Sequence, residues 1–301
     1  MRIETNGPHE KNESTHELQN NLVHYLSNMW GYQDRPEEIL AAAKKQEISL
    51  DLDTAVKEGI IGALKEQAPE NLNLIIAFAK QHQITIDLVQ PDIQKAIADC
   101  YAVLLSKTKP TELSDLKKFI DRHEVLIDEN LIFQQALVMC LNQGHGEKAN
   151  ILANKIEKEK KDINFSGPEI TEALKQGLLI NLREGRADLV NRLTGFASRR
   201  NLNVETNEPE FIIAAKEGLI KSIKDMKLGP GAVTIAEGMI KLILKLKLPI
   251  DLSNPEIAKA SKEALEASKK SSTRFPNELQ TFSAYPHIEA FLKKYGINID
   301  L

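Results

Sequence analysis

The feature that most constrains this chain is a pattern that returns along it: two small residues four apart inside an apolar run. Ala55, Gly59 and Leu64 have counterparts in Ala173, Gly177 and Leu182, in Ala214, Gly218 and Ile223, and in Ala260 and Ala264. A looser copy holds Ala96, Cys100 and Leu105. A sixth runs through Ile132, Ala136 and Leu141, with Gly144 matching a turn at Gly185. Ala55 and Ala96 are 41 residues apart, as are Pro168 and Pro209, whereas Pro209 and Pro255 are 46 apart. Self-similarity at a period of this size marks a stacked-repeat chain, in which no single unit can bury its own apolar face.

Within each unit the residues spell a helical hairpin. Pro91, Pro168, Pro209 and Pro255 each precede an acidic residue and an apolar one. Proline has no N–H to leave unpaired at the first helical position, and a carboxylate there favours the positive helix end. Small residues at i and i+4 share one helix face and let a neighbouring helix come close. Turn signals follow at Ala68 and Pro69, Lys109 and Pro110, Gly144 to Gly146, Gly185, and Gly229 to Gly231. A second amphipathic stretch then closes each hairpin, over 72–79, 113–120, 149–156, 189–196 and 235–246. Short apolar–Asp–apolar tags end the units at 50–52, 86–88, 250–252 and 299–301. They predict extended segments whose aspartate caps the next helix, and the last tag makes the final unit look complete. The expected fold is all-α, an α-solenoid of about six or seven stacked helical hairpins with roughly 41-residue repeats. It spans residues 50–301, after an N-terminal helical cap over 15–49 and a polar, disordered tail over 1–14.

Composition agrees with that architecture. Hydrophobic residues make up 42% of the 301, enough for a sizeable core, and aromatics only 5%. Aliphatic side chains and alanine favour packed helices over an aromatic-rich sandwich or barrel. Two cysteines, Cys100 and Cys140, are too few for a disulfide framework or a four-ligand zinc site. The N-terminus has no apolar core of a secretory signal, and the most hydrophobic stretch, 239–250, is broken by three lysines and Pro249. A cytoplasmic protein is expected, with export by a non-Sec route into a host cell left open.

Two-helix repeats carrying a small residue at i and i+4 of the first helix resemble tetratricopeptide-type solenoids. The signature Trp, Gly, Tyr and Pro pattern of that family is missing, since Trp30, Gly31 and Tyr32 occur once and outside the repeats. The resemblance covers roughly residues 50–301 and implies protein or peptide binding. A signal-free chain of this size, rich in Lys, Asn and Ile, also resembles bacterial effectors and the metaeffectors that regulate them.

Charge divides along the chain. Residues 1–150 hold 15 Lys and Arg against 23 Asp and Glu, and residues 151–301 hold 24 against 20. A net −4 argues against general nucleic-acid binding, while the polarity would orient a charged partner. The expected protein-binding residues are Arg183, Arg186, Arg192, Arg199 and Arg200, because the planar guanidinium pairs carboxylates with two bonds at once. Lys175 and Lys216 recur at one position of the first helices and would either line a groove or form a solvated ridge. Trp30 with Tyr32 is the sole hot-spot-type aromatic pair; it packs into the terminal cap or stands exposed at a contact. No metal spacing links the seven histidines, and the run from Gln143 to Glu147 reads as a turn. No catalytic, metal or cofactor site is expected. The expected function is a non-enzymatic scaffold or regulator that clamps a partner protein and modulates it. The alternatives are a nucleic-acid-binding helical repeat and an enzyme built on Cys140, His145 and Glu147.

Overall fold

The structure, a computed structural model, describes residues 14–274 and 284–299. Those residues are all-α, with fourteen α-helices and no strand among them. The helices are α1 (Thr15–Ser27), α2 (Arg35–Lys45), α3 (Leu52–Lys65), α4 (Glu70–Gln81), α5 (Pro91–Lys107), α6 (Pro110–Arg122), α7 (Glu129–Asn142), α8 (Gly146–Lys158), α9 (Pro168–Arg183), α10 (Ala187–Arg199), α11 (Pro209–Asp225), α12 (Pro230–Lys245), α13 (Pro255–Arg274) and α14 (Tyr285–Tyr295). The expected tail lies outside the described residues except for Ser14, whose hydroxyl accepts the Glu17 N–H and caps α1. The last aspartate tag likewise ends outside them.

The chain divides into two compact units, Met1–Ala136 and Leu137–Leu301, with the division inside α7. In the first, α1, α3 and α5 lie side by side, while α4 packs against α6. In the second, α9, α11 and α13 form one row and α8, α10, α12 and α14 the other. Each first helix also packs on its own partner, as α3 does on α4 and α9 on α10. The α1–α2 pair is arranged like the pairs after it, with α1 against α3.

The repeated small residues occupy the seam between first helices. Ala55, Ala173, Ala214, Ala260 and Ala264 are all but fully buried. A Cβ on Gly218 would overlap the backbone carbonyl of Leu182 in α9, and one on Gly177 would overlap that of Leu141 in α7. Glycine is therefore needed there for close approach of two backbones, despite its poor helix propensity. Around the seam sit the leucines, isoleucines and fully buried rings of Tyr101, Phe119, Phe133, Phe196, Phe211 and Phe291. Cys100 and Cys140 are buried among them as small apolar side chains.

Second helices end by one recurring device. Glu47, Gln83, Glu124, Lys160, Asn201 and Lys247 each adopt φ of 51–60° just past a helix. The next residue's N–H then donates five residues back: Ile48 to Ala43 O, Ile84 to Ala79 O, Val125 to Ile120 O, Leu202 to Ala197 O and Leu248 to Ile243 O, at 2.8–3.0 Å. This is the Schellman pattern, with an apolar residue folded back over the last turn. Among the described residues two loop aspartates cap a helix directly: Asp51 accepts the Thr54 N–H at 3.0 Å and Asp128 the Leu131 N–H at 3.1 Å. In the tags of Asp87 and Asp251 the carboxylate instead accepts an N–H two residues on, from Val89 and Ser253. Those aspartates turn the chain toward a proline-led helix start rather than capping it, because proline already disposes of one free N–H.

Candidate protein-binding surfaces

Ion pairs join the first helices along each row. Lys57 of α3 reaches Asp92 of α5 at 3.0 Å, Lys175 of α9 reaches Glu208 before α11 at 2.5 Å, and Lys216 of α11 reaches Glu256 of α13 at 2.9 Å. The hydrogen bond to Glu208 raises the Lys175 ammonium above its ordinary value. Lys175 and Lys216 are thus spent on holding neighbouring repeats in register, beside the leading proline of the next first helix. Arg183 joins the same row through Glu217 at 3.5 Å, and Lys221 pairs with Glu184.

The arginine cluster separates in space. Arg183 and Arg186 flank the α9–α10 turn, where Arg186 is exposed. Arg192 and Arg199, one face of α10, line an open groove against α8 together with Glu147, Asn150, Ile151, Asn154, Asn191 and Gly195, enclosing about 390 Å³. Arg192 pairs with Glu147 across it, and Arg199 is exposed with no ion pair to any described residue. Arg200 departs most from a surface role. Its side chain is 6% exposed, pairs with Glu157 at 3.1 Å, and stacks with its guanidinium 4.6 Å from the Phe196 ring centre and 5.2 Å from that of Phe165. Burial lowers the guanidinium from its ordinary value, and the Glu157 carboxylate opposes that. Phe196, one turn earlier in α10, lies under Arg200, and loop residue Phe165 and Glu157 of α8, brought over by the fold, complete the enclosure that Arg199 lacks.

No protein-family model matches the chain, and no curated protein sequence is significantly similar to it.

Trp30 and Tyr32 form the second exposed surface. Trp30 is 71% exposed and Tyr32 47%, so the reading that packs Trp30 into the terminal cap is overturned. The reason lies in the backbone: a short 3-10 turn, Met29–Gly31, is pinned by Asn71 of α4, whose Oδ1 accepts the Trp30 N–H at 2.8 Å while its Nδ2 donates to Ser27 O at 2.9 Å. Met29 takes the inward position and Trp30 is turned out. Tyr32 meets Tyr25 edge-on, with ring centres 5.2 Å apart.

The residues of the assembled-site alternative are occupied structurally. Burial pushes the Cys140 thiol up to about 11, and Glu147 is held by Arg192. Gly144 takes φ 73° in the α7–α8 turn, and the His145 N–H closes that turn on Cys140 O at 2.9 Å. Burial, then the charges of Lys148 and Arg186, lower the His145 imidazole. Among the described residues no group of three or more His, Cys, Asp or Glu is placed to hold a metal, and no helix is long and apolar enough to cross a membrane.

Proposed function

We propose that this chain is a protein-binding regulator that acts by occlusion or positioning of a partner rather than by chemistry of its own. The observation that carries the reading is the displayed Trp30–Tyr32 pair. A tryptophan held in solvent by a satisfied buried asparagine gives nothing to the core, and exposed aromatics of this kind anchor protein contacts. The ion-paired rows of helices support it, since a pre-formed surface loses little entropy when it binds. The resemblance to metaeffectors makes a second bacterial effector the partner class to try first.

Affinity capture with the tagged chain from the cells that express it should recover one protein in stoichiometric amount. Trp30→Ala should weaken that capture by roughly ten-fold or more, the effect of truncating an aromatic anchor. Unchanged capture by Trp30→Ala, or recovery of nucleic acid in place of protein, would overturn the reading.

A further inference from the structure

The groove between α8 and α10 presents amide and guanidinium donors beside the Arg192-paired carboxylate of Glu147, and the orientation of its amides is fixed by neighbouring cations. Arg200, buried beneath the groove, directs one nitrogen to Asn150 Oδ1 at 3.4 Å and another to Asn154 Oδ1 at 3.3 Å. Lys245 of α12 donates to Asn191 Oδ1 at 2.9 Å. An amide whose oxygen accepts from a cation must turn its NH₂ the other way. Asn150 uses its Nδ2 on Gly146 O at 2.8 Å, whereas those of Asn154 and Asn191 have no partner among the described residues.

Charge points the same way. Glu157 is taken by Arg200 and Glu147 by Arg192, which leaves Arg199 in the groove and the exposed Lys245, bonded to Asn191 beside it, without an ion pair to any described residue. Ile151, 56% exposed, adds one apolar contact. At Gly195 no heavy atom stands within 4 Å of where a Cβ would be, so the middle of α10 lets a chain lie close. An extended peptide carries a main-chain carbonyl at every residue, and acidic side chains supply the charge that Arg199 and Lys245 lack.

We propose that this groove binds an extended acidic segment of a partner protein, with Asn154 and Asn191 donating to main-chain carbonyls and Arg199 and Lys245 pairing its carboxylates. Arg200 is the positioning residue, because it holds two asparagine oxygens inward and so sets which amide atoms face the ligand. The inference rests on the protein-binding reading and adds the chemistry of what is bound. An acidic segment is favoured over a nucleic acid because two cations outside any ion pair among the described residues and two amides suit a few carboxylates, not a continuous phosphate backbone.

The test is fluorescence anisotropy of the full chain with rhodamine-labelled peptides, one alternating Glu with Val and one in which every Glu is Gln, beside a labelled oligothymidylate. The Glu peptide should bind at least roughly ten-fold tighter than the Gln peptide and than the oligonucleotide. Asn154→Asp keeps the acceptor for Arg200 but replaces the outward donor with a carboxylate, and should weaken the Glu peptide by roughly ten-fold, as should Arg199→Glu, whereas Arg199→Lys should retain most of the affinity. Equal binding of the two peptides, no binding of the Glu peptide, tighter oligonucleotide binding, or indifference to both variants would each overturn the proposal. If these fail while Trp30-dependent capture of a protein persists, the groove assignment falls and the protein-binding reading stands.

Discussion

Lys247 sits one residue past the cap of α12 at φ 54°, where its side chain serves nothing that the structure shows. A left-handed residue with a Cβ costs about 1–2 kcal/mol relative to glycine, less what glycine loses through a freer unfolded chain. Lys247→Gly should therefore stabilise the protein by about 0.5–1 kcal/mol, read as a higher urea midpoint at unchanged slope; no gain, or a loss, would show that the lysine has another task. The same reasoning explains why the helix ends were hard to read in the sequence. A C-terminal glycine announces a Schellman turn, but six of these turns are built on Glu, Gln, Asn or Lys. What the sequence does carry is the apolar pair that follows five of the six, as in Ile84 and Ile86 or Leu248 and Ile250, Lys160 being followed by Lys161 instead. The aspartate tags catch only the second member of that pair and miss the residue that folds back. Trp30 illustrates a different gap. Its composition fits a cap and a contact equally, and a hydrogen bond to Asn71, 41 positions away in the chain, decides between them.

Between helices, one glycine in each row, Gly195 of α10 and Gly218 of α11, separates two effects that normally oppose each other. In an exposed helix interior, Gly→Ala gains about 1 kcal/mol from propensity. Gly195 of α10 has open space where an alanine methyl would stand, so Gly195→Ala should show that gain. Gly218→Ala should do the reverse, because the methyl would overlap the Leu182 carbonyl and force α9 and α11 apart. Such overpacking costs about 1–3 kcal/mol even after the propensity gain is lost in it. Thermal unfolding of both variants checks the contrast, and a stabilised Gly218→Ala would refute the close approach. Ala-x-x-x-Gly was legible because it names a steric need with a fixed spacing. The lysine ladder was legible only as a position: Lys57, Lys175 and Lys216 are periodic in the chain, yet their acidic partners lie in the next repeat.

Across the whole molecule, the two units carry one buried cysteine each, Cys100 in the first and Cys140 in the second. Burial pushes their thiols up to about 12 and about 11, so at neutral pH both are protonated, shielded and poor nucleophiles. An aromatic disulfide reagent should leave the native chain unlabelled and react only as denaturant opens it. With Cys140→Ser the label reports the first unit and with Cys100→Ser the second, since local opening exposes each thiol separately. Rapid labelling in native buffer would contradict the burial of either site. The helical class, the hairpin order and the small-residue seam are written in the chain alone, because they follow from periodicities of four and about 41 residues that one sequence displays. Which polar residues are surface and which are scaffold is settled only when the helices pack. Arg199 and Arg200 are adjacent and chemically identical, but one faces solvent while the other is stacked on Phe165 and Phe196 and bound to Glu157. Phe196 lies one turn earlier, in α10, but Phe165 and Glu157 come from other elements, and no local pattern encodes that those neighbours will arrive.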